Sequence, residues 1–230
     1  VVPIDFADRP PYVGFKGAGV ILPREDADGL PIETVNVDEV EVTVSRVNDR
    51  ALAFKSITEG QTNAQGRYAY TWGEDNPEDV QEILFTGRMD VASEQNAPVV
   101  SVFPLQDVVG PLEPGAYYVS VKDAADLDSA EQPPASSSRW IMMTDLAITA
   151  YEGGNGLDVT LRSLQDGRPV PDTTVQLVAR KNVIVAEGRT NEVGRVAFDA
   201  PITNGQGNME PKLIMAYSAK GELAVLDLTR

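Results

Sequence analysis

Residues 131–150 read EQPPASSSRW IMMTDLAITA, and the change of character halfway along this stretch divides the chain. The first half is Pro, Ser and Ala, with nothing to bury. The second half is an apolar run with Thr144-Asp145 in its middle. Pro133-Pro134 cannot continue a hydrogen-bonded ladder and holds the preceding backbone extended, so a strand is expected to end before it. Ser136-Ser137-Ser138 reads as a flexible spacer outside any sheet. Trp140 then opens a new strand. A tryptophan buries about 150–250 Å², so Trp140 is expected to pack against a sheet edge or a neighbouring module. Two domains are predicted, over residues 1–135 and 139–230.

Both flanks of this join repeat one rhythm. Residues 35–47, VNVDEVEVTVSRV, alternate almost without a break: Val40, Val42 and Val44 share one face, with Glu41, Thr43 and Ser45 on the other. That pattern predicts one half-buried strand. Ahead of it, Tyr12-Val13-Gly14-Phe15 makes a short strand and residues 25–29, EDADG, make a turn. After it, strands are predicted over 67–72, 83–91, 99–103 and 116–121. Asn76-Pro77 would begin one helical turn over 77–82. Beyond the join, residues 142–150, 157–164, 174–179, 183–188, 195–199, 213–219 and 223–228 form seven further strands, separated by turns such as Gly153-Gly154-Asn155-Gly156 and Asp166-Gly167-Arg168-Pro169. Short strands with Gly or Pro between them, and no sustained helical period, predict an all-β chain of two antiparallel β-sandwich domains in tandem. An internal echo supports two divergent copies of one sandwich. Residues 62–68, TNAQGRY, match residues 190–196, TNEVGRV, as T-N-x-x-G-R followed by an apolar or aromatic residue. In each, the Asn can bond its own loop and the Gly relaxes a left-handed position.

Composition removes much chemistry. The 230 residues include no cysteine and no histidine. Disulfides, Ser-His and Cys-His nucleophile pairs and most zinc or copper sites are therefore out of reach. The net charge is −16, and residues 1–138 hold 24 acidic against 9 basic side chains. An acidic field of this kind repels nucleic acid and anionic lipid, so neither is an expected partner. No apolar run approaches the roughly 18–20 residues that cross a bilayer as a helix. The chain opens on Val1, without an initiator Met or a signal pattern, as expected of a mature protein or a piece cut from a larger one.

The motifs that suggest chemistry each fall short. Asp26-Ala27-Asp28-Gly29 resembles the middle of a calcium loop, but the first ligand position falls on Arg24 and the closing one on Val35. Gly17-Ala18-Gly19 lacks a third glycine and a following helix. Glu74, Asp75, Glu78, Asp79 and Glu82 form an acidic patch that reads as a solvated face. Ser136–138 has no base near it. No catalytic residue, metal site or cofactor is predicted.

The residues do carry a family resemblance. Arg139 to Leu146 (RWIMMTDL), Gly156-Leu157-Asp158-Val159, Asp166-Gly167-Arg168-Pro169-Val170 and the closing residues 224–230 (AVLDLTR) resemble a macroglobulin-like domain of the bacterial alpha-2-macroglobulins. Ile21-Leu22-Pro23, Thr34-Val35-Asn36-Val37, Gly87-Arg88-Met89-Asp90 and Glu113-Pro114-Gly115-Ala116-Tyr117 resemble the domain before it. The resemblance implies a non-enzymatic, structural piece of a large periplasmic protease trap that is anchored to the inner membrane as a lipoprotein. Its partners would be neighbouring domains of the parent chain, and proteases only through the full-length protein. Many family members carry a thioester in a Cys-x-Glu-Gln motif; here Ala92-Ser93-Glu94-Gln95 has Ala92 at the cysteine position, and no bait segment stands out. The alternative expectation is a pair of immunoglobulin-like modules from another extracytoplasmic adhesin or assembly protein.

Overall fold

In the computed structural model, residues 7–17, 21–22, 29–49, 81–125, 133–179, 181–203 and 205–228 are described. The expected strand over 67–72, residues 77–80 of the expected helical turn, the calcium-like residues Asp26 and Asp28, the first copy of the echo and the acidic side chains at 74–79 lie outside them; Gln81 and Glu82, expected to end that turn, are strand instead.

The described residues of the first sandwich carry eight strands. β1 (Tyr12–Phe15), β3 (Leu30–Val35) and β6 (Val99–Phe103) form a three-stranded sheet in the order β1-β3-β6. β2 (Ile21–Leu22), β4 (Glu39–Val47), β5 (Gln81–Asp90), β7 (Gly115–Asp123) and β8 (Ser136–Met143) form a five-stranded sheet in the order β2-β8-β7-β4-β5. All pairs are antiparallel except β2 with β8, where the expected antiparallel pattern gives way to a parallel one. A short helix, α1 (Leu105–Val109), follows β6; five residues are too few for a helical period to be read. The second sandwich has the seven predicted strands, here β9 (Leu146–Gly153), β10 (Gly156–Ser163), β11 (Thr174–Ala179), β12 (Ile184–Arg189), β13 (Arg195–Asp199), β14 (Pro211–Tyr217) and β15 (Leu223–Asp227). They lie in two sheets, β13-β10-β9 and β12-β11-β14-β15.

Side-chain alternation explains the first core. Val40, Val42 and Val44 of β4 face Ile32 of β3 and Phe103 of β6, with Tyr117, Val119 and Val121 of β7 beside them. In the second core, Leu157, Val159 and Leu161 of β10 meet Val175 and Leu177 of β11 and Ile214 of β14. Tyr117 also ties a corner: its hydroxyl, fully buried with the ring, donates to the Glu113 carbonyl at 2.7 Å. This is the tyrosine corner of immunoglobulin-like sandwiches.

Three readings of the sequence are corrected. Residues 35–47 are not one strand. Val35 ends β3, Asn36 turns with φ 52°, and β4 starts at Glu39 in the other sheet. Asn tolerates the left-handed region better than most side chains, which lets the alternating pattern run on while the chain changes sheet. Ser136–Ser138 is no spacer but the start of β8, paired with Lys122, Val121 and Ser120 of β7. Serine has no steric objection to extended backbone, and the waiting edge of β7 decides the matter. Trp140 accordingly sits inside β8. The expected strand over 142–150 is broken at Thr144-Asp145 into the end of β8 and the start of β9.

Polar side chains hold the irregular segments. Asn36 and Asn96, both left-handed, bond each other: the Asn96 amide donates to Asn36 Oδ1 at 2.7 Å and Asn36 Nδ2 donates to Asn96 Oδ1 at 3.1 Å. Asn96 Oδ1 also accepts from the Arg9 amide, and Asn36 Nδ2 donates to the Arg9 carbonyl. Asp8 accepts from Asn96 Nδ2 and from Gln95 Nε2, and these bonds hold its carboxyl below its ordinary 3.8. On the other side, the Arg139 guanidinium of β8 donates to the carbonyls of Phe15, Lys16 and Gly17 and lies 5.0 Å from the centre of the Phe15 ring. In the second copy of the echo, Asn191 Oδ1 accepts from the Val193 and Arg195 amides, as the sequence suggested. Gly194 there has φ 72°, and a Cβ would stand 2.5 Å from the Leu161 carbonyl oxygen.

Tyr117→Phe should lower the unfolding free energy of the chain by about 0.5–1.5 kcal/mol, the value of one hydrogen bond, measured as a shifted denaturant midpoint with unchanged slope. The Asp8 carboxyl should titrate below 3.8 in an NMR pH series, and Asn96→Ala should move it back upward. Because its folded value is depressed, its contribution to stability is present above the unfolded value and is lost as pH falls through the folded one.

Candidate functional site: the seam between the sandwiches

Among the described residues, no group of three or more Asp, Glu, His or Cys side chains stands close enough to hold a metal ion. Gln95, the last residue of the thioester-like run, binds Asp8, and Ala92 donates its amide to Ser101 Oγ. Ser137 is buried within β8, and Glu82 lies exposed on β5. A shallow cleft lined by Gln106, Pro111, Leu112, Glu113 and Met143 offers one carboxylate, and that one is bound to Arg46 Nη1 at 2.7 Å.

The concentrated feature is instead an apolar layer between the two sandwiches. On the five-stranded sheet, alternation sends one set of side chains outward, away from the first core. Cross-strand pairing lines these up in two rows, Ser45–Tyr118–Trp140 and Val47–Ala116–Met142. On the four-stranded sheet of the second sandwich, the side chains facing away from its core include Val178, Leu213, Met215 and Leu223. Val47, Ala116, Trp140 and Met142 form one buried cluster with them, flanked by Tyr118, Tyr217 and Val225. Trp140 is 6% exposed in this cluster: of the two expected positions, a sheet edge or a neighbouring module, it takes the second, but from a strand of the first sandwich rather than as the entry to the second. Its ring meets that of Tyr118 edge-on, with centroids 5.2 Å apart. The Trp140 Nε1–H finds no acceptor among the described residues, and the ring is held there by packing.

The link across this layer is short and held by hydrogen bonds. Thr144, wholly buried, accepts from the Leu146 amide through Oγ1 at 3.1 Å. The Asp145 amide donates to Glu222 Oε2 at 3.1 Å, and the Asp145 carbonyl accepts from the Leu164 amide at 2.7 Å. Glu222 sits in the loop between β14 and β15, next to Leu223 of the seam.

Sequence reading picked out Trp140 but missed its partners. A signal was present. Residues 140–143 (WIMM) of β8 and 213–216 (LIMA) of β14 are unbroken apolar runs, and all eight residues are buried. Continuous apolar character in a strand means burial on both faces.

Residues 14–133 match the family profile described as the bacterial alpha-2 macroglobulin MG2 domain, and residues 143–230 match that of the bacterial alpha-2-macroglobulin MG3 domain. The chain is 25% identical over 222 residues to alpha-2-macroglobulin of Escherichia coli strain K12, which covers 96% of this chain and 12% of that protein. It is 22% identical over 206 residues to alpha-2-macroglobulin of Xylella fastidiosa strain Temecula1, covering 88% of this chain and again 12% of the relative. The chain thus spans about an eighth of the length of these relatives. The crystal structure of native E. coli alpha-2-macroglobulin spanning domains NIE-MG1 superposes with a TM-score of 0.71 at 24% identity, covering 95% of this chain and 97% of that one. The trypsin-activated E. coli protein gives a TM-score of 0.66 at 24% identity, covering 94% of this chain and 14% of that one.

Trp140→Ala empties the middle of the seam and should cost roughly 3–5 kcal/mol, as for other buried Trp→Ala changes. It should also split the unfolding of the chain, since the two cores lose their shared layer. Calorimetry reads both effects: one transition before the substitution, two after it.

Proposed function

Because the chain belongs to the bacterial alpha-2-macroglobulin family, we propose that it is a structural piece of a broad-spectrum protease trap of the periplasm, its parent tethered to the inner membrane as a lipoprotein. The observation that carries this reading is the succession of two macroglobulin domain profiles along one chain, joined by a buried seam rather than by a loose linker. A trap of this class works when a protease cuts a bait segment and a shell of many domains rearranges around it. Such a shell needs sandwiches that keep their mutual orientation while other parts move. The seam supplies that stiffness.

Within the trap, this piece is scaffold. It hydrolyses nothing, and with no cysteine in its sequence it forms no thioester and no acyl bond to a protease. Its partners are the adjoining domains of the parent, and a protease meets it only through the assembled protein. That the E. coli relative has been solved in a trypsin-activated form supports the protease as the parent's target.

The test compares the parent protein with this chain alone. Each is incubated with trypsin in slight excess and then assayed on a small chromogenic peptide and on a large protein substrate. The parent should leave peptide cleavage intact while sparing the large substrate. The isolated chain should spare neither. A parent that lets trypsin digest the large substrate at the uninhibited rate would remove the trap reading. Sparing of the large substrate by the isolated chain would show that the chain is more than scaffold.

A further inference from the structure

Apolar contact between two sheets is non-directional and resists separation more than sliding. The seam therefore needs something that fixes its register. The link itself is only Thr144-Asp145, and three of its polar groups, the Thr144 hydroxyl and the Asp145 amide and carbonyl, bond to residues of the second sandwich. The tie that reaches it from the far side of the sequence is the Glu222 side chain, 77 positions away. We propose that Glu222 is a latch. Its buried carboxylate grips the Asp145 amide and locks the two sandwiches into one rigid body, so that the parent moves them together.

Three features assign this role to Glu222. It is 7% exposed, and a carboxylate taken that far from water is stable only when bonded, here through a charge-assisted bond to a backbone N–H. The loop that carries it is itself fixed: the Ser218 amide donates to the Glu222 carbonyl at 3.0 Å, the Glu222 amide donates to Ser218 Oγ at 3.1 Å, and Gly221 closes the turn with φ 80°. The next residue, Leu223, is part of the seam. One short loop thus presents an apolar side chain to the layer and a hydrogen-bond acceptor to the link that crosses it. Glu222 acts here as a positioning residue, through the backbone of the link, whether or not the parent traps proteases.

The chain has no cysteine, which makes a distance measurement simple. Asp90→Cys and Glu192→Cys place spin labels on exposed positions of the first and second sandwich. With Glu222 intact, pulsed dipolar spectroscopy should give one narrow distance peak. Glu222→Gln keeps an acceptor oxygen and should keep that peak. Glu222→Ala should lose the single narrow peak, with circular dichroism still reporting folded sheets. A plain loss of stability would lower the unfolding midpoint without changing the distances. Hydrogen exchange on the unsubstituted chain gives a second reading that needs no variant to fold: the Asp145 amide should exchange as slowly as the core amides of β10. A narrow peak in folded Glu222→Ala, a broad distribution with Glu222 intact, or exchange at Asp145 as fast as in an exposed turn would each overturn the latch.

Discussion

Among the described residues, two of the four sheets carry an apolar cluster on each face, and the rest of the architecture follows from that constraint. The five-stranded sheet has the first core on one side and the seam on the other. The four-stranded sheet has the seam and then the second core. Three apolar layers therefore alternate with four sheets. A side chain such as Trp140 cannot change size without disturbing strands that also line a core, because interiors are packed as densely as molecular crystals. The two modules consequently share their stability in a way that beads on a flexible string do not.

Directional bonds are placed where apolar packing leaves choices open. Arg139 collects three carbonyls at the end of β1, and the Asn36–Asn96 pair grips the lead-in at Asp8 and Arg9. Both ties act on segments that have few side chains to bury. The ion pairs contribute less. Arg46–Glu113, Arg88–Glu39 and Arg195–Asp158 are substantially solvent-exposed, and pairs of that kind are worth about 0–1 kcal/mol. Order in this protein comes from layers of carbon, and polar groups decide register.

For a multidomain protein that changes shape, such a division has mechanical meaning. Interfaces between domains of one chain are commonly polar and permit relative motion. Here the interface is apolar, crossed by a two-residue link, and backed by a hydrogen bond from a distant loop. In the proposed trap, motion would pass to the boundaries of this pair and leave its inside unchanged.

How much of this could be read from the sequence differs from place to place. The alternation at Val40, Val42 and Val44, the Gly- and Pro-bearing turns and the seven strands of the second sandwich were legible, because strand periodicity and turn chemistry are local properties. The composition alone removed histidine and cysteine chemistry. The sequence could not say that Val35 and Val40 belong to different sheets, since one left-handed Asn redirects the chain without breaking the pattern. Nor could it make a strand of Ser136–Ser138, whose extended form depends on β7 being there to pair with. The seam is the clearest case. Apolar runs at 140–143 and 213–216 state that those strands are covered on both faces, yet that they cover each other is decided only when two sheets, about 70 residues apart in the chain, are brought face to face. Periodicity reports how much of a strand is buried; only the tertiary structure reports against what.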